Sequence, residues 1–113
     1  MLSEKKMKDK GIPVLECPVK KALEVVGGKW KLQIINQVGN DVRRYGELKR
    51  LLPDISEKML IQELKSLVAY GILEKKSYHE IPPRVEYILT ERGRKVLPLI
   101  EAIKAFGIEM QEV

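Results

Sequence analysis

The side chains best placed to do chemistry are Arg43, Arg44, Ser56, Lys58, Gln62, Lys65 and Arg84, with the apolar Ile61 set among them. Cations, a hydroxyl and a carboxamide suit gripping a polyanion and hydrogen-bonding to base edges, not breaking bonds. The catalytic inventory is otherwise thin. There is one cysteine, Cys17, and one histidine, His79. No spacing of Cys, His or carboxylates resembles a metal site, so no metal and no cofactor is expected. Gly27-Gly28 lacks the surroundings of a phosphate loop and serves better as a helix stop. A thiol enzyme built on Cys17 has no partner base, because His79 lies far along the chain with no acid arranged beside it. The inventory argues against an enzyme.

Composition agrees. The chain has 113 residues, enough for one core but not two. Its hydrophobic fraction of 44% is ordinary for a globular protein, whereas aromatics at 5% are too few for base stacking to dominate any nucleic-acid contact. The net charge is +5. That excess fits attraction to phosphates without establishing it, since the four lysines of residues 1–10 outnumber Glu4 and Asp9 there. No apolar run approaches a membrane span, and the N-terminus lacks the apolar centre of a secretory signal. A cytoplasmic protein that does not engage membranes is expected.

The elements that must carry these side chains are legible in the spacing of apolar residues. Residues 1–12 read as a mobile basic tail, and 13–113 as the folded domain, with order beginning around Pro13. Pro18 suits the first position of a helix that places Val19, Leu23 and Val26 on one face and stops at Gly27-Gly28. A second helix, from about Lys29 to Val38, carries Trp30, Ile34 and Val38 four apart, which makes Trp30 a core residue rather than a ligand. After a turn at Gly39-Asn40-Asp41 comes a short extended piece around Val42-Arg43-Arg44. A third helix repeats Tyr45, Leu48, Leu51 and Leu52 and ends at Pro53.

Ser56 then caps a fourth helix, with Glu57 favourable in its first turn. This helix buries Leu60, Leu64, Leu67 and Val68 and ends at Gly71. Ile72 to His79 and Arg84 to Leu89 read as paired strands joined at Ile81-Pro82-Pro83, where a hairpin tip needs no ladder N–H. His79 beside that turn reads as an ordinary surface histidine. Thr90 caps a last helix running to about Gln111, in which Pro98 should bend the helix or shift its start. From the fourth helix on the order is helix, then β-hairpin, then helix: a mainly α fold with a small β-hairpin wing, that is, a winged helix-turn-helix.

With Leu60, Leu64 and Leu67 turned inward, the fourth helix presents Lys58, Ile61, Gln62, Lys65 and Ala69. A helix of this kind fits the major groove of B-DNA. Lys58 and Lys65 suit phosphates or guanine edges, Gln62 suits adenine, and Ser56 suits a phosphate at the helix start. The same residues also describe any solvated helix face. The hairpin tips the balance, because Arg84 follows Pro82-Pro83 on a short stiff loop and would enter an adjacent minor groove. Arg43, Arg44, Lys49 and Arg50 would grip backbone phosphates without reading sequence.

Cys17-Pro18, Gly27-Gly28-Lys29-Trp30, Tyr45-Gly46-Glu47-Leu48 and Ile55-Ser56-Glu57-Lys58-Met59-Leu60 form a recognisable series. It continues with Pro82-Pro83-Arg84-Val85-Glu86-Tyr87 and Leu89-Thr90-Glu91-Arg92-Gly93. In this order and spacing the chain resembles the HxlR-type family of winged helix-turn-helix transcriptional regulators, over about residues 15 to 110. The resemblance implies a homodimer that binds a double-stranded DNA operator and pairs through extra N- and C-terminal helices. The operator would be two-fold, with half-sites about 34–36 Å apart, and would be read by the helix over 56–70 and the wing over 78–86. Two residues depart from the family pattern. Ile61 stands where a threonine is common, and Tyr45 replaces a usual phenylalanine.

Cys17 would stand as N-cap of the first helix, its sulfur at a positive helix end near Lys20 and Lys21. The resemblance implies a sensor, since some members use a cysteine here to detect quinones, aldehydes, hypochlorite or other electrophiles. A plain capping thiol fits the residues equally well, and they leave both readings open. One further alternative concerns the whole chain. Winged helices also serve as protein-interaction modules without specific DNA binding, because fold does not fix function.

Overall fold

A computed structural model describes residues 17–112; the expected tail over 1–12 and the start of order at Pro13 lie outside them. In chain order the elements are α1 Pro18–Val26, α2 Lys31–Val38, β1 Arg43–Arg44, α3 Tyr45–Leu51 and α4 Glu57–Ala69. Then follow β2 Leu73–Tyr78, β3 Arg84–Leu89, α5 Glu91–Arg94 and α6 Leu97–Gln111. The fold is mainly helical with a winged hairpin, as the residue pattern indicates.

Leu48, Leu60, Leu64 and Leu67 of α3 and α4 meet Ile34, Ile35 and Val38 of α2 in one buried cluster. Leu73, Tyr87 and Leu89 close it from the sheet, and Ile100 is the buried residue of α6. Val68 is only partly buried at its edge. Trp30 packs against the same cluster and is the N-cap of α2, so that helix starts two residues later than expected.

The extended piece after α2 becomes a third strand. The sheet order is β1-β3-β2, all antiparallel, with Arg43 opposite Tyr87 and Leu73 opposite Leu89. β1 thereby ties the start of the helix-turn-helix to the hairpin. α4 ends in a Schellman arrangement, in which the N–H of Ile72 donates to Leu67 O at 2.9 Å and that of Gly71 to Val68 O at 3.0 Å. Gly71 sits at φ +74°, where a side chain would be strained.

Two expectations change. The single last helix is two: Thr90 caps α5, and α6 begins afresh at Leu97 with Pro98 in its first turn. Pro98 has no N–H to give and fits only where none is needed, so it moves the helix start. In α1 the apolar face is not core. Only Val26 is buried, while Val19 and Leu23 are exposed, because no other described element covers that side.

Candidate nucleic-acid interface

α3, the turn at Leu52–Ile55 and α4 form the helix-turn-helix, and α4 turns its polar side to solvent. Ser56 Oγ accepts the Met59 N–H at 3.1 Å, fixing where the helix begins. From that start Leu60, Leu64 and Leu67 fall inward, and Lys58, Ile61, Gln62 and Lys65 fall on the exposed side. Among the described residues neither Lys58 nor Lys65 has a carboxylate partner. Their charges face outward uncompensated.

Glu63, between these rows, is held by Lys31 of α2 at 2.6 Å. Nothing in the residue spacing points to this pair, since the two residues lie in separate helices. It takes the one carboxylate on the middle of α4 away from the outward row.

The basic residues before α4 divide into two kinds. Arg43 is anchored: its Nε donates to Gln37 O at 2.8 Å and its guanidinium lies 3.8 Å from Asp41. It closes the C-terminal end of α2 and is only partly available to a phosphate. Arg44 is exposed; its backbone N–H donates to Glu47 Oε1 at 2.8 Å, and among the described residues its guanidinium has no ion-pair partner. Arg44 and Arg50 line a groove of about 560 Å³ between α3 and the wing, whose far wall is Pro82, Pro83 and Arg84.

Arg84 differs from the expectation of a cation held out on the loop. It is paired with Glu80 at 3.3 Å and Glu86 at 3.4 Å, and its guanidinium stacks 4.0 Å from the centre of the Tyr78 ring. β2 and β3 pair Tyr78 with Arg84, which brings the ring under the cation. The tip arginine is thus folded back onto the wing. His79 is exposed beside it.

Tyr45 stands at the junction of helix and wing. Its hydroxyl is enclosed and has no hydrogen-bond partner among the described residues, and burial, with Glu57 nearby, raises its pKa above the usual tyrosine value. Lys75 of β2 is a residue that sequence reading passed over. It lines a hollow with Lys65 and Ile61, and its signal was the run Glu74-Lys75-Lys76, which the fold leaves exposed.

Cys17 caps α1 as its position before Pro18 indicated, is half-buried, and makes no side-chain capping hydrogen bond. Among the described residues no group of three or more His, Cys, Asp and Glu is close enough to hold a metal. No described helix is long and apolar enough to cross a membrane.

Comparison with known proteins joins this geometry to a family. Residues 25–113 match the HxlR-like helix-turn-helix family. The chain belongs to that family. It is 39% identical over 97 residues to the uncharacterized HTH-type transcriptional regulator YybR of Bacillus subtilis, covering 86% of this chain and 78% of YybR. A solved structure from Porphyromonas gingivalis W83, assigned to the MarR family of transcriptional regulators, shares 56% identity with a TM-score of 0.81, covering 87% of this chain and 96% of that one. The redox regulator HypR in its oxidized form shares 40% identity with a TM-score of 0.78, covering 82% of this chain and 96% of HypR. As an HxlR-like chain, this one keeps both the helix-turn-helix and the wing within the matched residues.

Proposed function

We propose that this HxlR-like protein is a DNA-binding transcriptional regulator that acts as a homodimer on a two-fold operator. The observation that carries the reading is the outward row of α4. Lys58, Gln62 and Lys65 stand exposed on a helix whose start is fixed by Ser56 and whose opposite side is core. Gln62 reads a base edge, and the lysines take phosphates or guanine. Arg44 and Arg50, in the groove beside the wing, take backbone phosphates.

Pairing of two chains is supported by α6. Leu99, Ile103, Phe106 and Met110 repeat at intervals of four, three and four, and all are exposed. That is the spacing of a helix–helix seam. With Val19 and Leu23 of α1 they leave more apolar surface uncovered than scattered surface residues would.

The first experiment is selection of the reduced protein against random duplex DNA at near-physiological salt. Enrichment of an inverted repeat with half-sites about one helical turn apart supports a dimeric reader. Sequence-blind retention that collapses as salt rises would instead favour a protein-interaction module. Lys65→Glu should abolish specific binding while leaving the fold intact.

A switch at Cys17 is the second part of the reading. It is favoured by the likeness to HypR, a redox regulator seen in both oxidized and reduced forms. Two Cys17 thiols, one from each subunit, would give up two protons and two electrons to an oxidant and form a disulfide. An electrophile would instead add to the single thiolate. Either change acts at the start of α1 and would move one recognition helix relative to the other. Cys17→Ser should bind the operator normally and ignore the oxidant; loss of binding on oxidation in that variant removes the thiol from the mechanism.

A further inference from the structure

Ile61 is 44% exposed in the middle of the outward row of α4, with Lys58 one turn before it, Gln62 beside it and Lys65 one turn after. It does not stand alone. Together with Val85 and the rings of Tyr45 and Tyr87 it lines a shallow hollow of about 290 Å³ between α4 and the sheet. Lys65 and Lys75 supply the cations at the same hollow, one from the helix and one from β2. An apolar lining with ammonium groups beside it suits a ligand that has an apolar projection and is itself attached to a polyanion.

In the major groove of duplex DNA one base edge has that character. Thymine presents a C5 methyl group, while the other three bases offer hydrogen-bonding groups and no methyl. Resting on the DNA-reading role proposed above, we infer that Ile61 is a specificity-determining residue and that this hollow receives the methyl group of a thymine in each half-site. Lys65 and Lys75 take the phosphates of the strand that carries it. Gln62, next along the helix, pairs with an adenine edge, so that the central step of the half-site is rich in T·A pairs.

The test replaces each thymine of the selected operator, one position at a time, with deoxyuridine, which removes the methyl group and nothing else. Binding is measured for the full protein and for Ile61→Ala, with thermal melting as a check that the variant folds. One thymine per half-site should show a loss of roughly threefold to tenfold on replacement with the wild-type protein, the scale of burying one methyl group. Ile61→Ala should bind the thymine operator more weakly and be indifferent to deoxyuridine at that position. Should the variant remain as sensitive as the wild type, or should the wild type tolerate deoxyuridine everywhere, the inference is overturned while the operator-binding role stands. If selection enriches no sequence at all, both fall together. A melting temperature lost by Ile61→Ala would assign the residue to packing and overturn the inference unless Ile61→Val, which keeps a branched methyl surface, retains the deoxyuridine response.

Discussion

Lys31 Nζ lies 2.6 Å from Glu63 Oε1, with the two side chains only 15% and 18% exposed, so an ion pair bolts α2 to the recognition helix. Hydrophobic contacts along Leu60, Leu64 and Leu67 hold α4 against the core but resist its rotation poorly. A charge pair to one side fixes which residues face out. Exposed pairs contribute about 0.2–1 kcal/mol, and breaking a fully buried one costs about 3–5 kcal/mol. This pair lies between, so Lys31→Met or Glu63→Leu alone should cost about 1–2 kcal/mol. The double variant should cost less than the two singles together, because neither leaves a stranded charge. Denaturant melts of the four proteins check this. Additive losses would mean the pair is not coupled.

Arg43 and Arg44 are neighbours in sequence with opposite loads. Arg43 Nε donates to Gln37 O at 2.8 Å, whereas Arg44 lines the groove beside the wing and has no ion-pair partner among the described residues. Arg44→Gln should therefore leave the melting temperature unchanged and weaken binding across all DNA sequences. Its salt dependence should fall by about one unit of slope, the signature of one lost phosphate contact. Arg43→Gln should instead lower stability by about 1.5 kcal/mol, the low end for a hydrogen bond made by a charged group. Reversal of the two phenotypes would show that the anchoring seen at Arg43 is not maintained on DNA.

The reading helix was legible because its signals are local. Ser56 marks its start, the Leu60-Leu64-Leu67 spacing marks its inner face, and Gly71 marks its end, all within one stretch of chain. Arg84 was not. Its partners Glu80 and Glu86 and the Tyr78 ring come together only once β2 and β3 are in register, and nothing in the isolated Pro-Pro-Arg run shows that. The Lys31–Glu63 pair is hidden for the same reason, being a contact between helices whose rotation is set by packing. Val19 and Leu23 mislead differently: helical spacing identifies an apolar face but not whether the fold covers it.

Gly93 packs so closely that a Cβ there would collide with the Ile72 carbonyl oxygen. The crowding arises because Thr90 draws two segments together, its hydroxyl accepting the Gly93 N–H at 3.0 Å and donating to Gly71 O at 2.5 Å. Backbone cannot yield as a flexible side chain can. Gly93→Ala should destabilise by about 1–3 kcal/mol, the usual range for overpacking, against about 1 kcal/mol for losing the cap in Thr90→Ala. Equilibrium unfolding ranks the two, and a neutral Gly93→Ala would mean that α5 can slide away from β2.

Tyr87 gives the fold a dependence on alkaline pH. Burial raises its pKa above the usual 10.0, and the neighbouring Tyr45 hydroxyl raises it further. The folded chain thus holds a proton that the unfolded chain gives up. Stability is complete below pH 10 and falls as pH rises through and beyond it. Melting temperatures measured from pH ~8 to ~11, across the range where tyrosine titrates, should fall more steeply for the wild type than for Tyr87→Phe. Lysine titration affects both proteins alike, so the difference isolates the phenol. Parallel curves would mean the ring ionises freely in the folded state.

Phe106 is 63% exposed in a row of exposed apolar side chains, the kind of patch that marks an interaction surface. It occupies the third position of the Leu99, Ile103, Phe106 and Met110 row, while the core contact of α6 is made by Ile100 on another side. A charge at 106 should therefore separate chains without unfolding one. If the chain pairs as proposed, the wild type should sediment as a dimer and Phe106→Glu as a monomer at the same concentration, with its helical circular dichroism retained. Losing the second half-site should weaken operator binding by at least about tenfold, since linked binding events gain about 10²–10⁴ over single ones. Binding to an isolated half-site should not change. A Phe106→Glu protein that still sediments as a dimer would move the interface to α1, where Val19 and Leu23 are the next residues to charge.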